Sequence, residues 1–283
     1  MYDAKEGGRD RYEVYGASST GKAGIEHRLE WVERIRTALE EDGFTLHAQP
    51  VVDAATGQRT QLELLIRMLG EEGEEIAPAN FLPIAERFGL IGEIDRWVVT
   101  HAIAMLSEQA GLGARPTVEV NLSGHSLGDT DLAAHIDSEL RDCDVHPSQL
   151  VFEVTETAAI GNIEAAQQFA ERLAEVGCRF ALDDFGAGFG SFYYLKHLPF
   201  DFIKIDGEFV RTLVDDETDR LVVKAVVELA RGLGKRTIAE FVGDEPTAIA
   251  LRELGVDYLQ GFHLGRPAPI GAYLSVPAAQ LAL

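Results

Sequence analysis

Cysteine is scarce. The chain has only Cys143 and Cys178, and they show neither metal nor redox spacing, so both read as free thiols in a reducing compartment. No run of 18 or more apolar residues occurs, which excludes a membrane-spanning helix in this segment. The opening MYDAKEGGRDRYEVY has no apolar centre and is not a signal peptide. The expected location is therefore the cytoplasm. Basic residues are also few: 25 Lys and Arg stand against 47 Asp and Glu, a formal net charge of -22. Such a surface offers no footprint for polymeric DNA or RNA. A small anionic ligand needs a local reversal of the field, which bound divalent cations provide. Most of the acidic residues need no role beyond solubility.

What is present is an ordinary globular composition, 46% hydrophobic and 25% charged, in a length that suits one large barrel or two small domains. Residues 16–24, GASSTGKAG, read as a flexible linker. Ile25, Leu29, Val32, Ile35 and Leu39 then recur at helical spacing up to Asp42, and Gly43 stops the helix. Eight short apolar or alternating runs follow: 44–53, 59–68, 117–122, 150–155, 178–182, 201–205, 236–239 and 256–259. The first two are joined by a turn at Ala55-Thr56-Gly57, the signature of a hairpin. Helical patterns at 80–89, 93–109, 132–141, 163–176, 219–233 and 245–254 separate most of the rest. Strands alternating with helices predict a largely parallel sheet, and eight of them a closed α/β barrel of the TIM-like (β/α)8 kind. The opening hairpin adds one antiparallel strand.

Polar residues gather at the ends of these runs. Asn121, Glu153 with Glu156, Asp183 with Asp184, Lys204 with Asp206, Glu240 and Gln260 all stand at or just past a strand end. Barrel active sites are built from such positions on the C-terminal face. Any one of these residues is more often a helix cap or a turn residue; the set together is not explained that way. A buried ring of carboxylates repels itself unless cations hold it. Carboxylate and amide oxygens are hard donors that suit Mg²⁺ or Mn²⁺. The eight histidines have no zinc-like spacing. Adjacent Asp183 and Asp184 point to two metals, an arrangement suited to in-line phosphoryl displacement. The rival reading, a glycine-rich nucleotide loop at Asp184–Gly190, fails because Ser191 stands where a glycine is required.

The ordered segments Gln49-Pro-Val-Val-Asp53, Glu63-Leu-Leu-Ile-Arg67, Asn121-Leu-Ser123, Phe152-Glu-Val-Thr-Glu156, Asp183-Asp-Phe-Gly186, Lys204-Ile-Asp206, Ala239-Glu240 and Gln260-Gly-Phe-His-Leu-Gly-Arg-Pro267 resemble the motifs of EAL domains. The resemblance covers about residues 44–270 and implies hydrolysis of cyclic di-GMP to linear pGpG with two Mg²⁺ or Mn²⁺ ions. It implies that Glu63, Asn121, Glu153 and Asp183 hold the first metal, and Asp183, Asp184 and Glu240 the second. Lys204 would orient or help deprotonate the attacking water, with Glu240 as another candidate base. Asp206 joins the catalytic set, and Glu156 would anchor the loop from Asp184 to Ser191. Gln49, Arg67 and Gln260 would face the substrate, Arg67 at a phosphate.

Residues 1–15 resemble the end of a GGDEF cyclase domain, so the segment is expected to follow GGDEF and sensory domains in a longer protein, with any membrane tether in those upstream segments, and to form a homodimer. Three departures stand out. Leu64 replaces the alanine of the signature, Ala187 a common threonine, and Gly243 a second glutamate usual in the family. The last motivates the competing expectation, a weak or inactive domain that serves as a cyclic di-GMP receptor.

Overall fold

The computed structural model describes residues 22–186 and 194–274. The expected cyclase remnant (1–15), the linker up to residue 21 and Ala187–Ser191 of the glycine-rich loop lie outside the described residues. The described chain divides into two compact units.

The smaller unit takes residues up to Thr45 together with Ile66–Trp97. Its long helix runs Lys22–Glu40, beginning inside the stretch expected to be linker; Lys22 and Ala23 favour helix, and Gly24 costs a helix only about 1 kcal/mol. The helix buries Val32, Ile35 and Ala38. Gly43 ends the turn because a Cβ there would sit 2.9 Å from the Ala38 Cα. Phe44 packs against Phe81 and Trp97, with centroids 5.8 and 5.3 Å apart. The Trp97 indole donates to Asp42 at 2.8 Å. The unit also holds a two-residue strand, Glu75–Ile76, and the helix Pro78–Arg87.

The larger unit, Leu46–Leu65 and Val98 onward, contains the barrel. We number the strands β1 (Phe44–Asp53), β2 (Arg59–Leu69), β3 (Glu75–Ile76), β4 (Thr117–Asn121), β5 (Leu150–Thr155), β6 (Arg179–Phe185), β7 (Phe202–Ile205), β8 (Arg236–Ala239), β9 (Tyr258–Gln260) and β10 (Ala268–Pro269). The order β1-β9-β8-β7-β6-β5-β4-β2, with β1 also paired to β2, closes eight strands into a barrel. Within the barrel, the pairings β2–β4, β4–β5, β5–β6, β6–β7, β7–β8 and β8–β9 are all parallel, whereas β1 runs antiparallel to β9 and the short β3 antiparallel to β2. The predicted barrel with one antiparallel strand is therefore the observed one. Asp53 secures the hairpin turn by accepting from the Ala55 and Thr56 amides.

Strand parity builds the interior. Val51, Val151, Ala181, Phe202, Ile238 and Tyr258, one from each of six strands, form a buried apolar floor. Side chains two residues apart share a face, so the next inward position toward one barrel end is Gln49 on the reversed β1 and Glu153, Asp183, Lys204, Glu240 and Gln260 on the others. The same step carries Gln61 to Glu63 on β2 and Glu119 to Asn121 on β4, two strands whose register sets Glu63 opposite Glu119. Eight strands thus raise eight polar side chains above the floor.

Candidate active site

Lys204 is the hub of this polar layer. Its ammonium is wholly buried and lies 2.9 Å from Glu153 Oε2, 3.0 Å from Glu240 Oε1, 3.6 Å from Glu63 Oε2, 3.8 Å from Asp183 Oδ1 and 3.9 Å from Glu119 Oε2. Burial opposes its charge, but Asp183, Glu153, Glu240 and Glu63 outweigh that and hold the ammonium well above its ordinary pKa. One cation cannot compensate five carboxylates. Burial, with the crowding of like charge, therefore pushes Glu153 and Glu240 well above the usual carboxylate range and raises Asp183 and Glu119.

Asn121 donates to Glu63 Oε1 at 2.8 Å, and Gln260 donates to Glu63 Oε2 at 2.5 Å. Gln49 lies beside them, donating to the Gly265 carbonyl and receiving from Gln260 at 3.5 Å. Two donors thus fix both oxygens of Glu63.

Asp183 and Asp184 were expected just beyond a strand, yet β6 continues through Phe185. Neighbouring residues of a regular strand point to opposite faces. Here the register shifts between Leu182 and Phe185, and Asp184 adopts a left-handed φ of 53°. The bulge breaks the alternation, and carboxylate oxygens of Asp183, Asp184 and Glu240 come within 4.8 Å of one another. Oxygens this close, with Glu153 Oε1 and Gln260 Oε1 buried and without hydrogen-bond partners among the described residues, fit a hard divalent cation.

Glu156 lies at the start of the helix after β5, accepting from the Gly186 amide at 2.9 Å and the Tyr194 hydroxyl at 2.5 Å. It ties together the two described ends of the glycine-rich loop. Asp206 caps the helix Gly207–Arg211 through the Glu208 amide at 2.7 Å, the ordinary role of an aspartate after a strand. Arg67 belongs to the smaller unit, where it is buried and donates to the Ile66 carbonyl.

Sequence reading missed Glu119 and Gln61. Both are buried, and among the described residues neither finds a hydrogen-bond partner for its side-chain oxygens or, in Gln61, its amide nitrogen. The alternation of Thr117-Val-Glu-Val-Asn121 was the available signal, since it puts Glu119 on the same face as Asn121.

A family model described as the EAL domain matches residues 32–267. The chain belongs to the EAL domain family. It is 37% identical over 272 residues to the cyclic di-GMP phosphodiesterase PdeB of Shewanella oneidensis, covering 95% of this chain and 32% of that protein. The bifunctional diguanylate cyclase/cyclic di-GMP phosphodiesterase MucR of Pseudomonas aeruginosa is 36% identical over 270 residues, 95% of this chain and 39% of that one. The chain spans about a third of the length of these curated relatives. The EAL domain of Xanthomonas citri FimX, solved in complex with c-diGMP, superposes with a TM-score of 0.83 at 30% identity, covering 88% of this chain and 97% of that one.

This EAL domain also shows what surrounds Gly243. Asp244 caps the helix Glu245–Leu254 through the Thr247 amide, and that bond holds its carboxyl below the usual range. Glu245 is engaged by His263 and Arg252, each at 2.9 Å, which lower it likewise. Both of the nearest acids in sequence are committed to the helix start.

Proposed function

We propose that this EAL domain hydrolyses one phosphodiester of cyclic di-GMP to give linear pGpG, with two Mg²⁺ or Mn²⁺ ions. The observation that carries the reading is the bulge in β6, which turns Asp183 and Asp184 toward Glu240 within 4.8 Å. Glu63, Asn121, Glu153 and Asp183 would hold one ion, and Asp183, Asp184 and Glu240 the other. When bound, the ions supply a more acidic water and neutralise charge at the phosphate.

The chain's own residues do the rest. Lys204, wedged between Glu153 and Glu240, stays charged and fixes both carboxylates; it orients the attacking water, with Glu240 as the group that accepts its proton. Asn121 and Gln260 hold Glu63 in place, and Glu156 keeps the loop after β6 anchored. Gln49 and Gln260 face the substrate, and Arg67 is assigned to a phosphate. Asp206 serves this reaction by starting the helix behind Lys204. The printed names of PdeB and MucR, and the ligand in the FimX complex, support the substrate. The bifunctional MucR supports a neighbouring cyclase domain in the whole protein, and homodimerisation and a cytoplasmic site of action belong to the same proposal. Among the described residues no helix is long and apolar enough to cross a membrane.

Gly243 favours one competing reading, a receptor that binds the nucleotide without turnover, because neither Asp244 nor Glu245 replaces the missing acid. Incubation of purified protein with cyclic di-GMP and Mn²⁺, followed by separation of the nucleotides, decides between them. Metal-dependent appearance of pGpG is the expected result. Binding with no product selects the receptor.

A further inference from the structure

Phe241 follows Glu240 directly and holds a left-handed φ of 54°. Side chains with a Cβ avoid that conformation at a cost, and it persists only where the surroundings enforce it. The surroundings here are specific. The Phe241 ring lies against Gly207, where an added Cβ would fall 2.1 Å from the ring Cδ2. Gly207 is buried and opens the helix Gly207–Arg211, three residues after Lys204. The Arg211 guanidinium covers the ring at 4.1 Å from its centroid. On the other side, the next residue is locked to β9 and beyond: the Val242 amide donates to the Gln260 carbonyl at 2.9 Å, and its carbonyl accepts from His263 at 3.1 Å. Glu240 itself donates its amide to the Ile205 carbonyl at 3.3 Å.

The segment after β8 is therefore pinned at both sides of Glu240. Backbone bonds hold Glu240 to β7 and Val242 to β9, and an aromatic ring seated on a glycine fixes the turn between them. We propose that Phe241 is a positioning residue: its ring, clamped between Gly207 and Arg211, aims the Glu240 carboxylate at Asp183, Asp184 and Lys204. Phe241 does not touch the reacting atoms. It acts through Glu240, and so through the affinity of that carboxylate group for a divalent cation. The inference rests on the metal-dependent reading above.

The test is Mn²⁺ affinity by titration calorimetry, with nucleotide turnover alongside. Phe241→Gly suits the left-handed backbone and removes the whole side chain. It is expected to fold, to bind Mn²⁺ about tenfold more weakly, and to lose kcat with KM for cyclic di-GMP unchanged. Phe241→Tyr should restore both. Arg211 is exposed, so Arg211→Ala leaves folding intact and should weaken Mn²⁺ binding about threefold by removing the cation from the ring. Wild-type Mn²⁺ affinity in Phe241→Gly overturns the proposal; should that variant not fold, wild-type affinity in Arg211→Ala overturns it. A wild-type protein that binds no Mn²⁺ removes the metal-dependent reading and this inference with it, whereas normal Mn²⁺ binding in wild type and variants alike removes this inference only.

Discussion

Lys204 and Glu240 meet at 3.0 Å inside the barrel, the lysine completely buried and the glutamate nearly so. Burial and Asp183 favour the protonated form of Glu240, while Lys204 favours its carboxylate. Removing one partner of a buried pair leaves the other uncompensated and costs about 3–5 kcal/mol.

Lys204→Met should therefore act on folding and on chemistry at once. Without metal, urea unfolding is expected to show a loss of about 3–5 kcal/mol. With Mn²⁺ present, kcat should fall roughly 10²–10⁴-fold, the range of a lost proton-transfer or water-orienting group. Full turnover in a folded Lys204→Met protein would remove Lys204 from the mechanism.

The crowded carboxylates make stability depend on pH in a defined direction. Glu153 and Glu240 sit well above their ordinary value of 4.5 in the native state. Between that value and the native ones, the folded chain holds protons the unfolded chain has released. Stability is then fullest below the unfolded value and is lost as pH rises through the native values. Thermal midpoints of the metal-free protein from about pH 5 to 8 should fall, and Glu240→Gln should flatten the slope. An identical slope in wild type and variant contradicts this.

Glu119 is predicted to cost the fold more than it contributes. Its two oxygens have no hydrogen-bond partner among the described residues, and its nearest compensating charge, Lys204, stands at 3.9 Å with closer partners of its own. Glu119→Met keeps the volume and removes the buried charge. Because Lys204 keeps its closer partners, the metal-free protein should gain about 1–3 kcal/mol in denaturant unfolding, the desolvation penalty of a buried polar group without hydrogen bonds. A loss of stability would mean that Glu119 is better satisfied than the geometry indicates.

Gly243 has room for a side chain: an added Cβ meets nothing closer than the Phe241 carbonyl at 4.0 Å. Gly243→Glu should leave stability within about 0.5 kcal/mol. If the missing acid limits the second ion, Mn²⁺ affinity and turnover should both rise, by about tenfold. No change in either would show that this chain supports Glu240 by other means.

Much of this was legible in the chain itself. Alternating apolar and polar positions, broken by helical spacing, determine strands whose inner faces carry Glu63, Asn121, Glu153, Lys204, Glu240 and Gln260, because a strand has a period of two whatever it packs against. Boundaries were less legible, since strand ends are fixed by neighbours in the sheet; β6 runs three residues past its expected end because β7 pairs with Phe185. Only the tertiary structure decided three things. It bulged β6 so that carboxylate oxygens of two adjacent aspartates both lie within 4.8 Å of Glu240, against the alternation a local reading assumes. It brought Glu119 on β4 within 3.9 Å of Lys204 on β7, a contact between residues 85 positions apart. And it set the Phe241 ring on Gly207, a left-handed aromatic that no local preference predicts and that is enforced by packing between separate strand ends.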